Sequence, residues 1–128
     1  MTLAIHPRDA LFSGEKPMRS LPVCEHFAGS EKLILKAMAL QEEMGPLFDI
    51  TCDCEDGARM GEEEAHASTV ARLIASDGNK FSRAGVRIHD PSHPHWRKDV
   101  DIIVSGAGEK LAYVTIPKAT SAAQVAEV

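Results

Sequence analysis

The chain has 128 residues, of which 44% are hydrophobic and 26% are charged, and its formal net charge is −5. This balance is typical of a globular protein that is long enough to bury one core. The negative charge and the scattered Lys and Arg residues argue against nucleic acid as a partner and against a membrane-surface role, because both call for a basic face.

The first part of the chain predicts a strand followed by a helix. Residues 1–18 are an irregular lead-in, because prolines and a glycine interrupt them without a clear period. The apolar residues 21–24 are a strand candidate. Ser30 is a predicted helix N-cap with Glu31 in the first turn, and Gly45 ends that helix.

Two further strand–helix pairs follow. Residues 48–54 are the second strand candidate, and residues 62–75 are the second helix. The buried stripe of that helix is predicted at Ala65, Val70, Leu73 and Ile74. Residues 86–89 are the third strand, and residues 96–104 form a helix after a loop rich in Pro and His at residues 90–95.

A fourth unit completes the pattern. Residues 111–116 are a strand candidate, and residues 122–128 begin a last helix that Thr120 or Ser121 caps. Four strand–helix units of about thirty residues each predict parallel βαβ units with right-handed crossovers. We therefore expect one domain over residues 19–128.

The size of this domain predicts an incomplete barrel. Four parallel strands leave both edges of a sheet open, whereas a closed (β/α)8 TIM barrel takes about 250 residues. The sequence therefore predicts an α/β fold that is the N-terminal half of a TIM barrel. We expect the remaining strands to lie outside this chain or to come from other copies of it.

Carboxylates mark the end of the second strand. Strand side chains alternate between two faces, so Asp53 and Glu55 are expected to face the barrel axis, with Asp56 just beyond them. By the same alternation Cys52 and Cys54 face the helices. The acidic pair therefore lies at the carboxyl end of a barrel strand, where barrel enzymes place their chemistry.

Other strand ends bring further polar groups to the same rim. On the third strand Arg87 and His89 are expected to point inward, and Lys118 is expected at the mouth after the fourth strand. Glu25 and His26 fall just past the end of the first predicted strand. The carboxyl ends of at least three strands thus contribute polar side chains to one predicted site.

The polar side chains at these strand ends suit only a few kinds of reaction. Arg87 offers a planar fork that suits a substrate carboxylate, and the carboxylates suit Mg²⁺ directly or through its waters. Together they could orient an oxygen-rich acid and stabilise an enolate. The alternative is a purely structural ion network, in which Asp53 or Glu55 pairs with Arg87 or Lys118.

Four segments in order resemble one known family. Residues 48–58 resemble the strand and D-L-E-D-[AG] pattern of the citrate lyase beta-subunit and malyl-CoA lyase group, within the HpcH/HpaI aldolase superfamily. Residues 19–23 resemble its R-S-x-L strand, residues 85–89 its V-R-[IV]-N strand, and residues 116–119 its P-K strand end. The resemblance runs from about residue 19 to the end of the chain.

The resemblance implies a Mg²⁺-dependent carbon–carbon lyase that acts on a 3-hydroxy acid or its CoA thioester. It implies that Arg87 holds the substrate carboxylate, with Asp53 and Lys118 as further substrate-binding residues. Glu55 and Asp56 are the implied catalytic residues, in or beside the water shell of the metal. The direct metal ligands of the family lie on later strands, so we expect this chain to be inactive alone. Trimers or hexamers are common in the family, which implies a homo-oligomer.

Departures from the family pattern bear on the substrate. Cys54 stands where the family usually has Leu, a mild change on the helix-facing side. His89 stands where Asn is usual, beside Arg87, and the loop at residues 90–95 is unlike the common family loops. These departures leave the reaction class in place but predict a different substrate preference.

Two other classes of function stay open. A non-catalytic barrel that binds an acidic metabolite fits the same fold, because fold does not fix function. A zinc-binding module is the other, with a poor ligand spacing. Its candidate ligands are Cys24, Cys52, Cys54, His89, His93 and His95.

The sequence also predicts a cellular location. No apolar run approaches the roughly 20 residues that cross a bilayer. Residues 1–12 carry charged side chains where a signal sequence needs an apolar core. Three cysteines without a disulfide-framework spacing favour a reducing compartment, so we expect the cytoplasm.

Overall fold

A computed structural model describes His6 and residues 21–128. Apart from His6, the predicted lead-in lies outside the described residues, as do the first two residues of the R-S-x-L resemblance. Strands and helices alternate along the described part of the chain: β1 (Glu25–Ala28), α1 (Glu31–Met44), β2 (Asp49–Asp53), α2 (Glu63–Ala75), β3 (Ala84–Arg87), α3 (Trp96–Ala107), β4 (Val114–Thr115) and α4 (Ala122–Glu127). None of these helices combines the length and apolarity that crossing a bilayer requires.

The four described strands form one parallel sheet in the order β1-β2-β3-β4. Each strand pairs with its neighbour in sequence, and a helix covers each crossover. In the register, Ala28 lies beside Cys52, and Asp53 lies beside Arg87. The predicted α/β fold with four parallel βα units is confirmed. The register places the carboxyl ends of β2 and β3 side by side.

The core lies between the sheet and the helices. Ile50 and Cys52 of β2 and Val86 of β3 are fully buried on the face that packs against the helices. Cys54 is 2% exposed on the same side, so the prediction that both strand cysteines face the helices is confirmed. Burial raises the pKa of the Cys52 thiol to about 12, which leaves it protonated and a poor metal ligand at neutral pH.

The helix ends follow the predicted chemistry. The Ser30 hydroxyl accepts a hydrogen bond from the Leu33 backbone N–H at 3.4 Å, and α1 ends at Gly45. Of the two candidates for the cap of α4, the structure uses Ser121, whose hydroxyl accepts from the Gln124 N–H at 3.3 Å. Side-chain oxygens thus satisfy donors that a helix start leaves without a partner.

The predicted position of the first strand is wrong. The strand begins at Glu25, whereas the apolar side chains of Leu21 and Val23 are 78% and 83% exposed. Pairing with β2 determines this boundary, because Glu25 lies beside Asp49 in the register. Glu25 and His26 therefore lie within the strand at its amino end, and not past its carboxyl end as predicted.

Other boundaries differ by a few residues. β3 begins and ends two residues before the predicted strand, and β4 is confined to Val114–Thr115. α3 continues through Gly106 to Ala107, because packing against α2 outweighs the roughly 1 kcal/mol helix cost of a glycine. Ala65, predicted in the buried stripe of α2, is exposed, and Ala67 takes its place.

The sheet face opposite the helices carries a cluster of hydrogen-bonded polar side chains. The Thr51 hydroxyl lies 2.8 Å from the Tyr113 hydroxyl and donates to Glu25 Oε1 at 3.2 Å. The Tyr113 ring lies flat against the backbone of Gly85, where an added Cβ would come within 2.4 Å of the ring. A glycine at this position therefore lets Tyr113 cover β3.

We predict that Gly85→Ala lowers the free energy of unfolding by about 1–3 kcal/mol, because the new methyl overlaps the Tyr113 ring. Urea unfolding measures the change. The same substitution in a Tyr113→Ala background is the control, since the overlap is gone there and the cost should fall close to zero. An equal cost in both backgrounds would contradict this contact.

Candidate active site

The site begins with an Arg–Asp pair that joins β2 to β3. Arg87 donates to Asp53 through the two nitrogens on one edge of its guanidinium, from Nε to Oδ1 at 2.9 Å and from Nη2 to Oδ2 at 2.6 Å. The Asp53 side chain is 2% exposed and the Arg87 side chain 22%. Because each charged group sits opposite its partner in the register, the pair is bidentate and geometrically fixed.

Asp53 also organises the loop that follows its strand. Its carboxylate accepts hydrogen bonds from the backbone N–H groups of Glu55 at 3.0 Å and Gly57 at 2.8 Å. A Cβ at Gly57 would lie 2.3 Å from Asp53 Oδ2, so this close approach requires a glycine. The Asp53 carbonyl lies 2.8 Å from Nε2 of His66 on α2. Both carboxylate oxygens are therefore occupied by protein donors.

The pKa of Asp53 reflects this environment. Burial raises the pKa, but the hydrogen bonds from Arg87 and from the backbone of Glu55 and Gly57 outweigh burial and hold it below its ordinary value. Asp53 is consequently ionised at neutral pH. In the structure, the Asp53 carboxylate holds Arg87 in place. Contact between Asp53 and the substrate stays a prediction.

The opposite edge of the Arg87 guanidinium is open. Nη1 makes no hydrogen bond to any residue in the described part of the chain. The ring of Phe27 from β1 lies under the guanidinium, 4.8 Å from ring centroid to Cζ. A planar cation held from one side by a carboxylate and from below by an aromatic ring has one edge left for a second anion.

Glu55 stands beside this pair in a buried position. Its side chain is 6% exposed, with Oε2 at 3.5 Å from Arg87 Nε and Oε1 at 2.5 Å from Lys118 Nζ. Both contacts are ion pairs. Neither buried oxygen of Glu55 has a hydrogen bond within residues 21–128. Besides these ion pairs, the carboxylate can therefore accept from donors that the protein itself does not supply.

Lys118 and Asp56 complete the rim. Lys118 adopts a left-handed backbone with φ of 52° and reaches Asp56 Oδ1 at 3.2 Å. The carboxylates of Glu55 and Asp56 raise the pKa of Lys118, which keeps the amine protonated. A cavity of about 300 Å³ opens here, and its lining includes Glu55, Asp56, Lys118, His89 and His93. Ion pairs join the five predicted site residues into one connected group, which consists of Asp53, Glu55, Asp56, Arg87 and Lys118.

The described residues fit a metal only in part. No group of three or more His, Cys, Asp or Glu side chains within residues 21–128 is arranged to hold a metal ion. The zinc alternative therefore has no supporting ligand group among these residues, and it stays a prediction. The two Glu55 oxygens without hydrogen bonds suit the waters of a hard cation. Arg87 and Lys118 beside them oppose direct coordination.

His89 makes a contact that its strand position did not predict. Its Nδ1 lies 2.6 Å from Oδ2 of Asp99 on α3, and the Asp99 residue is 1% exposed. The position follows the end of β3, where the alternation of a strand no longer applies. Helical spacing could have indicated that Asp99 is buried, because it shares the buried face of α3 with Trp96 and Ile103.

Comparison with known proteins gives an informative relative among the solved structures. No protein-family model matches the chain, and no curated protein matches it. A solved structure described as a citrate lyase from Burkholderia xenovorans is 54% identical, with a TM-score of 0.81. The match covers 84% of this chain and 34% of the other, so the chain spans about a third of that protein's length. The predicted N-terminal half of a TIM barrel is confirmed.

We predict that Asp53→Asn lowers the free energy of unfolding at neutral pH by up to about 3 kcal/mol, because Arg87 loses its anion. The folded pKa of Asp53 lies below its ordinary value of about 3.9. Its stabilisation is therefore complete above that value and is lost as pH falls through the folded pKa. Urea unfolding across this pH range should show a shallower acid dependence in the variant.

The matched control for this prediction is Asp77→Asn. Asp77 also pairs with a cation, at 3.5 Å from Lys110, but it is fully exposed. Water already screens that pair, so we expect no measurable change in stability. An Asp53→Asn variant as stable as the control would contradict a structural role for the Asp53–Arg87 pair.

Proposed function

Because the chain belongs, as its N-terminal part, to the HpcH/HpaI aldolase and citrate lyase family, we propose that it supplies the substrate-carboxylate side of a carbon–carbon lyase site. The reaction class is a cleavage that leaves an enolate. The proposed substrate is a 3-hydroxy acid or its CoA thioester. The remaining strands of the barrel would supply the other side of the site.

The observation that supports this function best is the state of Arg87. Asp53 fixes one edge of the guanidinium, and the edge with Nη1 stays without a partner among the described residues. A guanidinium carries five N–H donors and the Asp53 carboxylate accepts from two of them, so Arg87 keeps donors for a second anion. The open edge can bind a carboxylate through two parallel N–H groups, which fixes the orientation of the acid as well as its position.

Glu55 and Lys118 extend the proposed site toward the reacting carbons. Lys118 is a protonated amine at the rim, and its charge favours the oxygen on which an enolate develops. Glu55 offers two buried oxygens without hydrogen bonds. We assign them to a substrate hydroxyl or to water molecules around a cation, since both are donors that fit acceptor oxygens.

The cofactor that we propose is Mg²⁺. When bound, Mg²⁺ supplies positive charge that stabilises an enolate oxygen. Glu55 and Asp56 would hold its waters, and later strands would supply direct ligands, because the described residues hold no ligand group of their own. We further propose a homo-oligomer in the cytoplasm.

A second candidate is a barrel that binds an acidic metabolite without turning it over. The ion pairs that link Asp53, Arg87, Glu55 and Lys118 favour it, because they hold the site rigid without any reaction. The two candidates predict the same binding of an acid at Arg87. Turnover separates them.

We predict that Arg87→Lys lowers kcat/KM about 10- to 100-fold in the assembled barrel, because the amine keeps the charge but loses the fork. The assay follows cleavage of 3-hydroxy acids and their CoA thioesters, citrate included. The matched control is Arg83→Lys, which alters a similar pair with Asp49 at the amino end of the same strands. Equal losses in both variants would contradict the proposed role, and acid binding without any turnover would favour the second candidate.

We predict that Glu55→Gln raises the Mg²⁺ concentration for half-maximal activity about 10-fold or more, because an amide binds the waters of a cation less well than a carboxylate. A Mg²⁺ titration of initial rates measures the change. Glu43→Gln on the exposed side of α1 is the control and should match the parent protein. An unchanged Mg²⁺ requirement in Glu55→Gln would remove Glu55 from the proposed metal environment.

A further inference from the structure

A buried His–Asp pair lies at the edge of the same cavity. Asp99 Oδ2 accepts a hydrogen bond from the His89 backbone N–H at 2.9 Å, and the His89 ring Nδ1 lies 2.6 Å from that oxygen. His89 is 8% exposed and Asp99 is 1% exposed. Asp99 comes from the first turn of α3, so the pair links the end of β3 to that helix.

The pair fixes the ring in one orientation. Asp99 Oδ2 already accepts from the His89 backbone N–H, so we assign the Nδ1 proton to the bond with the same acceptor oxygen. Nε2 is then the ring nitrogen with a free lone pair, and no residue within the described part of the chain bonds to it. His93 stacks on the same ring at 4.1 Å between centroids. The stack restricts the ring further.

The position of the ring matters as much as its orientation. His89 lines the cavity of about 300 Å³ together with Glu55 and Lys118. The charged and titratable groups around it include Asp99 on α3, Glu63 on α2, and Asp90, His93 and His95 on the loop between β3 and α3. The ring therefore borders the cavity, and its Nε2 has no partner among the described residues.

We propose that His89, positioned by Asp99, accepts the hydroxyl proton of the substrate. This inference rests on the lyase function proposed above. The proton moves from the 3-hydroxyl to Nε2, and the carbon–oxygen bond becomes a carbonyl. The electron pair of the C2–C3 bond moves to C2 and forms the enolate. His89 then returns the proton to C2, so atoms and charges balance without another reactant.

The tautomer can be tested without turnover. Nitrogen-15 NMR of the histidine-labelled protein, with His89→Gln to assign the signal, should show Nδ1 protonated and Nε2 unprotonated at neutral pH. Malonate added as a probe acid should shift the Nε2 signal. Asp99→Asn should transfer part of the population to the other tautomer. A parent protein with the proton on Nε2, or a signal that malonate leaves unchanged, would overturn the inference.

Kinetics give a second test on the assembled barrel. We expect His89→Gln to lower kcat about 10²- to 10⁴-fold with little change in KM, since the proton acceptor acts on the bond-breaking step. Asp99→Asn should lower kcat at least 10-fold. Asp101→Asn, on an exposed position of the same helix, is the control and should retain the parent rate. A kcat in His89→Gln within threefold of the parent would overturn the inference.

The two proposals can fail separately. If Arg87→Lys loses activity but His89→Gln does not, the lyase function stands and the role of His89 is overturned. If the parent protein shows no cleavage of any 3-hydroxy acid, the lyase function fails and with it the role of His89 as proton acceptor. The NMR result would still establish whether an acid in the cavity reaches Nε2.

Discussion

The bidentate contact between Asp53 and Arg87 is the interaction on which the described site depends. It joins two neighbouring strands at their carboxyl ends, and the same carboxylate holds the backbone of Glu55 and Gly57. Removing a buried ionised group from water is costly unless donors surround it, and Asp53 has four such bonds. The position of Glu55 and the open edge of Arg87 both follow from this one carboxylate.

A comparison within the same two strands shows how location determines use. Asp49 and Arg83 form a similar pair at the amino end of the strands, with Nε and Oδ1 at 2.7 Å. There Arg83 also donates to the Pro46 carbonyl, so its guanidinium serves the fold. At the carboxyl end, where the loops of a parallel barrel gather, Nη1 of Arg87 has no hydrogen bond within residues 21–128. We propose that this difference leaves Arg87 an edge for a ligand.

Much of this could be predicted from the sequence, and the reasons are physical. The alternation of buried strands placed Cys52 and Cys54 toward the helices and Asp53 toward the opposite face, because a strand has only two sides. The cap at Ser30 depends on local hydrogen bonds alone. The boundary of β1 depends on pairing with β2, and the Asp99–His89 contact joins two elements that only tertiary packing brings together. Sequence periodicity places Asp99 on the buried face of α3, but it identifies neither the partner of Asp99 nor the boundary of β1.

The chain spans about a third of the citrate lyase structure that it resembles, and we propose that it supplies one side of a barrel site. Its central feature is an arginine fixed by Asp53 with one edge open to an acid. A crystal structure of the assembled barrel with malonate tests this feature most directly. We expect one malonate carboxylate to lie about 2.7–2.9 Å from the Nη atoms of Arg87, with the Asp53 contact intact. Malonate bound away from Arg87, or an Arg87 that leaves Asp53 to reach it, would contradict the account.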